Sequence, residues 1–177
     1  MQRLFELDYL FYRLVHQTWR LRRLDPVMVL LSALGTKGIV WICIDLTIAL
    51  FGGDRGRKAA LVSFAALLLA EGTINLILKP AVQRARPFAS GLLTSLLVAA
   101  PGPNSWPSAH AGSSLAAAIV IAAAYPSWSL VVVLLATAVG YSRVYVGVHY
   151  PLDVLAGFGV GLLAGGVCLL PLLSLGA

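Results

Sequence analysis

The segment LDVLAGFGVGLLAGGVCLLPLL, residues 152–173, holds one charged side chain, Asp153. A membrane-spanning helix needs about 20 mostly apolar residues, and this stretch qualifies. Working back toward the N-terminus, similar runs recur at 128–146, 108–125, 59–78 and 37–51, the last extending upstream toward Pro26. Backbone in hydrocarbon must satisfy its own hydrogen bonds, so such runs form helices. The composition agrees: 59% of residues are hydrophobic, 11% are charged, and the mean hydropathy is +0.89. A soluble domain carries about 25% charge, and a disordered chain has low hydrophobicity, so both are excluded. The expected fold is all-α, a polytopic transmembrane bundle of about five spanning helices plus an N-terminal amphipathic interfacial helix. It reads as a single membrane-embedded domain over residues 1–177, with 1–34 as the interfacial segment and 35–177 as the bundle.

Upstream of the spans, Leu4, Leu7, Phe11 and Leu14 recur at helical spacing, with Glu6, Arg13, Gln17 and Arg20 elsewhere on the wheel. That pattern predicts a helix lying in the interface plane, with Arg20, Arg22 and Arg23 toward headgroup phosphates. Thirteen Lys and Arg against seven Asp and Glu give a net charge of +6. Most of the basic residues lie between apolar runs, which makes anionic lipid headgroups the expected partners rather than nucleic acid. Cys43 and Cys168 sit in apolar stretches and read as buried thiols. Glu6, Asp8 and Arg13 interrupt any signal-peptide core. The stretch 92–100 is too short to span and reads as re-entrant or interfacial. Gly157, Gly161 and Gly165 form a small-residue stripe for close helix packing, with no oligomeric state implied.

Polar residues near membrane depth mark function by default. Strict up-down threading puts Lys79, Arg86, Ser108, His110, Arg143, His149 and Asp153 on one membrane face. Three cations, two imidazoles, a hydroxyl and a carboxylate suit an anionic tetrahedral group. Lys79, Arg86 and Arg143 would bind phosphoryl oxygens. Pro107 suits the first turn of a helix. The N–H groups of Ser108, Ala109 and His110 would then face the anion, and Ser108 adds a hydroxyl. His149 precedes the last helix and Asp153 lies in its first turn. The carboxylate would take the proton of one imidazole nitrogen and leave the other to attack phosphorus. His110 would protonate the leaving oxygen. Taken alone, His149 and Asp153 also suit a helix-start contact or a metal pair, but three neighbouring cations oppose a metal. No cofactor is expected.

Other polar positions read differently. Arg84 fits an interfacial anchor that snorkels to headgroups. Glu71, Asn75 and Lys79 share a stripe, in which Asn75 would orient Lys79 or contact the substrate and Glu71 would partner a cation or lie near a water-filled cavity, a structural role being the expectation for both. Asp45 has Lys37 as one candidate partner. Trp106 flanks the second cluster and would line the substrate entrance.

The spacing resembles that of the type 2 phosphatidic acid phosphatase family. Lys79, six residues, then Arg86-Pro87 looks like its first signature. Pro107-Ser108-Ala109-His110 is similar to its second, with alanine for glycine. Ser142-Arg143, five residues, His149, three residues, Asp153 matches its third. The resemblance implies a metal-independent lipid phosphatase with a phosphohistidine on His149, His110 as acid, and phosphate held by Lys79, Arg86, Ser108 and Arg143. The stretch 86–108 is similar to undecaprenyl diphosphate phosphatases, while phosphatidylglycerophosphate and phosphatidic acid phosphatases share the motifs. A non-catalytic polyprenyl-phosphate carrier is the expectation from another class. Arg55, Arg57 and Lys58 mark the face opposite the site as cytoplasmic, whereas the N-terminal arginines vote the other way. The resemblance implies a bacterial inner-membrane protein whose site faces the periplasm.

Overall fold

The computed structural model describes residues 2–90 and 96–174; residues 92–95 of the expected re-entrant stretch lie outside them. The elements are α1 (Gln2–Arg13), α2 (Asp25–Leu34), α3 (Ile39–Phe51), α4 (Gly53–Val82), α5 (Ala109–Ala124), α6 (Ser129–Tyr145) and α7 (Pro151–Ser174). Among the described residues, β-structure is limited to an isolated bridge between Ala85 and Asn104. Among the described residues, three helices rather than the expected five are long and apolar enough to cross a bilayer: α4, α7, and α6 together with the turn before it. The α2–α3 pair, bent by 62°, passes the same test when its halves are taken together. The fifth apolar body, α5, has 16 residues. These bodies coincide with the runs marked by hydropathy.

Lipid tails are as apolar as leucine, so membrane helices associate through close packing rather than hydrophobic exclusion. The fold follows that rule. The outward positions are large and apolar, as at Leu61, Leu76, Leu130 and Leu163. The interior is small. α5 buries Ala111, Gly112, Ser113, Ser114, Ala116, Ala117 and Ala118, and packs on α4, α6 and α7. Trp41 of α3 donates its indole N–H to Ser114 Oγ at 2.8 Å, pinning α3 to the same helix. Cys43 is exposed on the outer surface of α3 and Cys168 is half-buried, so neither is the buried thiol expected.

The glycine stripe of α7 faces inward, against α5. A Cβ at Gly157 would lie 2.4 Å from the Ser108 carbonyl oxygen, and one at Gly161 would lie 2.3 Å from that of Gly112. The stripe therefore serves packing within the chain.

The N-terminal helix has the opposite polarity from a simple anchor. Leu7 and Phe11 are about half exposed (51% and 50%), as the apolar stripe requires; the side chain of Leu4 lies outside the described set. The face against the bundle mixes polar and apolar side chains: Asp8 and Tyr12, with Val15 and His16 in the π-helical turn that follows, are buried, and Tyr12 and Val15 join a cluster with Val144, Val148 and Tyr150. His16 Nδ1 lies 2.6 Å from the Tyr145 carbonyl oxygen.

Substituting Gly157 or Gly161 by alanine should cost about 1–3 kcal/mol, the usual penalty of overpacking. Thermal melts in detergent check this. Gly159→Ala, whose Cβ would meet nothing within 4 Å, should melt no lower than wild type. Equal melting temperatures for all three variants would refute the seam.

Candidate active site

Beyond Gly72, α4 loosens into a π-helical turn, Thr73–Leu78, before a last α-turn, Lys79–Val82. Such insertions re-aim side chains at functional positions. Here they leave Glu71, Asn75 and Lys79 stacked. Lys79 Nζ donates to Asn75 Oδ1 at 2.8 Å, and Asn75 Nδ2 donates to Glu71 Oε2 at 2.5 Å. Lys79, Asn75 and Glu71 thus form one chain of hydrogen bonds along α4.

The chain then reverses at Gln83, whose φ is 50°. Ser105 N–H donates to the Arg84 carbonyl at 2.8 Å, closing the long loop on itself. Arg86 is buried. Its Nε donates to the Gly102 carbonyl at 2.5 Å and its Nη1 to that of Val148 at 2.7 Å. The same Nη1 lies 3.2 Å from His149 Nε2. A guanidinium only donates, so Nε2 carries the lone pair and the ring hydrogen belongs on Nδ1. Burial, with Arg86, Arg143 and Lys79 nearby, holds His149 well below the usual imidazole range. The ring is therefore neutral at physiological pH. Burial likewise lowers Arg86 to about 10, which leaves it charged.

Asp153 is fully buried. Its Oδ2 accepts from Tyr150 N–H at 2.8 Å. That is the half of a capping box in which the third helical residue reaches back to the N-cap amide. The helix-start contact is made, while His149 Nδ1 has no hydrogen-bond partner among the described residues. The pair itself is looser than expected: Asp153 Oδ2 lies 3.5 Å from His149 Nδ1, too far for a strong hydrogen bond. The reason is competition, because the cap amide holds the same oxygen closer.

Ser108 caps α5, with its Oγ 3.5 Å from Ala111 N. Its own N–H donates to the Asp153 backbone carbonyl at 2.8 Å. This corrects the expectation that the Ser108 amide faces an anion: it is used to join α5 to α7. Ser108 is fully buried, and neither it, nor Trp106, nor Asp153 lines the cavity on which Lys79, Arg86, His110, Arg143 and His149 converge. His110 is in the first turn of α5, packed over Gly35, where a Cβ would come within 2.9 Å of the ring. Thr36 Oγ1 lies 3.4 Å from His110 Nε2. Arg143, in the last turn of α6, donates Nη1 to Ser32 Oγ. Its buried Nε has no partner among the described residues.

Lys79, Arg86, Ala109, His110, Arg143 and His149 all line one cavity of about 370 Å³. Glu71, Asn75, Thr36, Lys37 and the 101–104 loop complete its wall. Hydropathy and motif reading missed Ser32 and Thr36, which reach the site only because the α2–α3 pair bends there. Lys37 lines this cavity and does not partner Asp45, whose carboxyl oxygens have no hydrogen-bond partner within 3.5 Å among the described residues. Arg84 is no snorkelling anchor. Its side chain is 15% exposed and bridges Asp8 and Asp153 at 2.6 and 2.7 Å. Its neighbour Arg86 had absorbed the motif, and Asp8 is too distant in sequence for spacing to suggest the pair.

The cavity can hold a tetrahedral anion. Several donors converge on it, and one buried guanidinium N–H is unused. Inorganic phosphate should raise the melting temperature, by the equivalent of about 2.7 kcal/mol at a hundredfold excess over Kd. Arg143→Gln should remove most of that gain. A phosphate-independent melt in wild type would refute an anion site.

The comparisons agree on a family. The model described as the PAP2 superfamily matches residues 60–172. The chain is 34% identical over 139 residues to an undecaprenyl-diphosphatase of Sulfolobus acidocaldarius, covering 78% of this chain and 66% of that protein's length. The crystal structure of Aquifex aeolicus LpxE superposes with a TM-score of 0.74 at 26% identity, covering 92% of this chain and 94% of that one. A PAP2-type phosphatidylglycerolphosphate phosphatase of Bacillus subtilis superposes with a TM-score of 0.69 at 25% identity, covering 95% and 85%.

Proposed function

Because the chain belongs to the PAP2 superfamily, whose members are lipid phosphatases, we propose that it hydrolyses a membrane lipid phosphate through a phosphohistidine, with undecaprenyl diphosphate as the preferred substrate. The observation that carries the reading is the single cavity shared by Lys79, Arg86, His110, Arg143 and His149.

In this mechanism the phosphoryl oxygens take the donors of Lys79, Arg86 and Arg143, and the Arg86 contact to His149 Nε2 gives way to one of them. Nε2 attacks phosphorus as the bond to the leaving oxygen breaks. The bound dianion favours protonated His110, which gives its proton to that oxygen. Water then attacks the phosphohistidine, His110 takes a proton from it, and inorganic phosphate leaves with His149 restored. Asp153 stabilises the positive charge that the substituted imidazole acquires. The lipid chains stay in the bilayer while the headgroup enters the cavity.

The diphosphate preference is supported by the name of the Sulfolobus relative. Phosphatidylglycerophosphate is the second reading, on the likeness to the Bacillus structure and on Glu71, an acceptor in the cavity wall for a headgroup hydroxyl. Arg57 and Lys79 sit toward opposite ends of α4, about 30 Å apart by helical rise. With the basic turn at 55–58 cytoplasmic, the cavity of this multi-pass protein opens to the periplasmic side of a bacterial inner membrane.

Phosphate release by purified protein in detergent, measured in excess EDTA, tests the proposal. Undecaprenyl diphosphate should turn over faster than phosphatidylglycerophosphate or phosphatidic acid. His149→Ala should abolish release and phosphoenzyme labelling, and Asp153→Asn should slow turnover by about two orders of magnitude. Loss of activity in EDTA, restored by Mg²⁺, would point to a metal enzyme. Tight binding of every lipid with no release would favour the carrier reading.

A further inference from the structure

We infer that Arg84 and Asp8 are positioning residues for His149, acting through Asp153, and that α1 is thereby part of the catalytic apparatus rather than an anchor beside it. The inference rests on the phosphatase reading above and extends it to Asp8 and to Arg84, one of the six residues between Lys79 and Arg86.

The geometry is specific. The Arg84 guanidinium uses different nitrogens for two buried carboxylates: Nη2 donates to Asp8 Oδ2 at 2.6 Å and Nη1 to Asp153 Oδ1 at 2.7 Å. Asp8 Oδ1 accepts the Leu152 N–H at 2.8 Å, so one carboxylate holds both the guanidinium and the first turn of α7. The guanidinium also lies 4.1 Å from the centroid of the Tyr150 ring. Tyr150 supplies the amide that grips Asp153 Oδ2. Both oxygens of Asp153 are therefore held, and the one toward His149 cannot swing away.

Charge makes the second acid necessary. A buried Arg84–Asp153 pair alone would be neutral and would offer little to an imidazolium. Asp8 adds a second negative charge at the far side of the guanidinium. The trio then carries one net negative charge, exposed toward His149. That charge is needed when Nε2 bonds phosphorus and the ring becomes cationic. Burial acts against it by raising Asp8 above the usual carboxylate range; the Arg84 and Leu152 donors resist that shift by favouring the ionised form. Simple docking of α1 would need none of this, because the apolar residues around Tyr12 already hold it.

The test is steady-state kinetics in detergent with undecaprenyl diphosphate and phosphatidylglycerophosphate, for wild type, His149→Ala, Arg84→Gln, Arg84→Lys, Asp8→Asn and Asp8→Asn/Arg84→Gln. Arg84→Gln should lower kcat by about 30-fold with KM changed less than about threefold. Arg84→Lys, which keeps the charge, should recover most of that loss. Asp8→Asn, nearly isosteric, should lower kcat by about five- to tenfold. The double variant should be no slower than Arg84→Gln alone, since Asp8 acts through Arg84. A raised KM at unchanged kcat, a lysine no better than glutamine, or losses that multiply in the double variant would each overturn the inference. If Arg84→Gln does not fold, Arg84→Lys and Asp8→Asn decide by the same kcat criterion. Absence of His149-dependent release in wild type overturns the phosphatase reading itself, and is distinct from release that is insensitive to Arg84.

Discussion

The close approach of α7 to α5 is the contact on which the site depends. Glycines at 157 and 161 bring the two backbones together. At the end of that seam the Ser108 N–H reaches the Asp153 carbonyl. This bond sets the N-terminus of α5, which carries His110, against that of α7, which follows His149. Two histidines from separate motifs then face one cavity because two helices touch without side chains between them. In a bilayer such contact is where helix association finds its energy. The same residues therefore build the fold and space the two histidines across the cavity.

Electrostatics works against that assembly and shapes it. Lys79, Arg86 and Arg143 share one cavity wall, and burying like charges together is costly. The chain offsets this with dipoles more than with carboxylates. Arg86 is held by the Gly102 and Val148 carbonyls, Lys79 by the Asn75 amide oxygen, and Arg143 by the Ser32 hydroxyl. Neutral acceptors stabilise a cation without cancelling its charge, so the positive field stays available to an anion. The full carboxylate partners lie behind His149, where Arg84 stands between Asp8 and Asp153. In the proposed mechanism, positive charge in front of the imidazole and net negative charge behind it would polarise the ring along the direction of attack.

Much of this was legible in the sequence, and what was not has a physical reason. Hydropathy marked the apolar bodies because lipid-facing positions outnumber interior ones in a bundle this thin. The motif residues were legible because their spacing is fixed by helix ends: Ser108 as N-cap, Asp153 in the first turn of α7. Arg84 and Asp8 were not, since nothing local distinguishes an arginine that snorkels from one that turns inward. One signal was present in α1. Asp8 and Tyr12 of the helix and His16 in the turn beyond it are four apart, and a polar stripe that flanks an apolar one can face protein when the apolar one faces lipid. Reading the apolar stripe alone gave the helix's place at the interface and missed what its other face holds. The Ser108 amide was misread because only the tertiary fold supplies its acceptor.

The bend between α2 and α3 follows from the same constraint. Irregular backbone at membrane depth survives only where protein covers it or where it lines a wet cavity. At this break Lys37 and Gly38 adopt left-handed φ values of 51° and 69°. Continuing α2 straight into α3 would carry Ser32 and Thr36 along one regular helix. With the bend, the two side chains serve different groups. Ser32 accepts from Arg143, while Thr36 lies beside His110. Gly35, between them, lets the backbone lie flush against the His110 ring. The break thus fixes one arginine and one histidine of the cavity from a helix pair that contributes no motif residue, and the Thr36 and Lys37 that it turns inward complete the cavity wall.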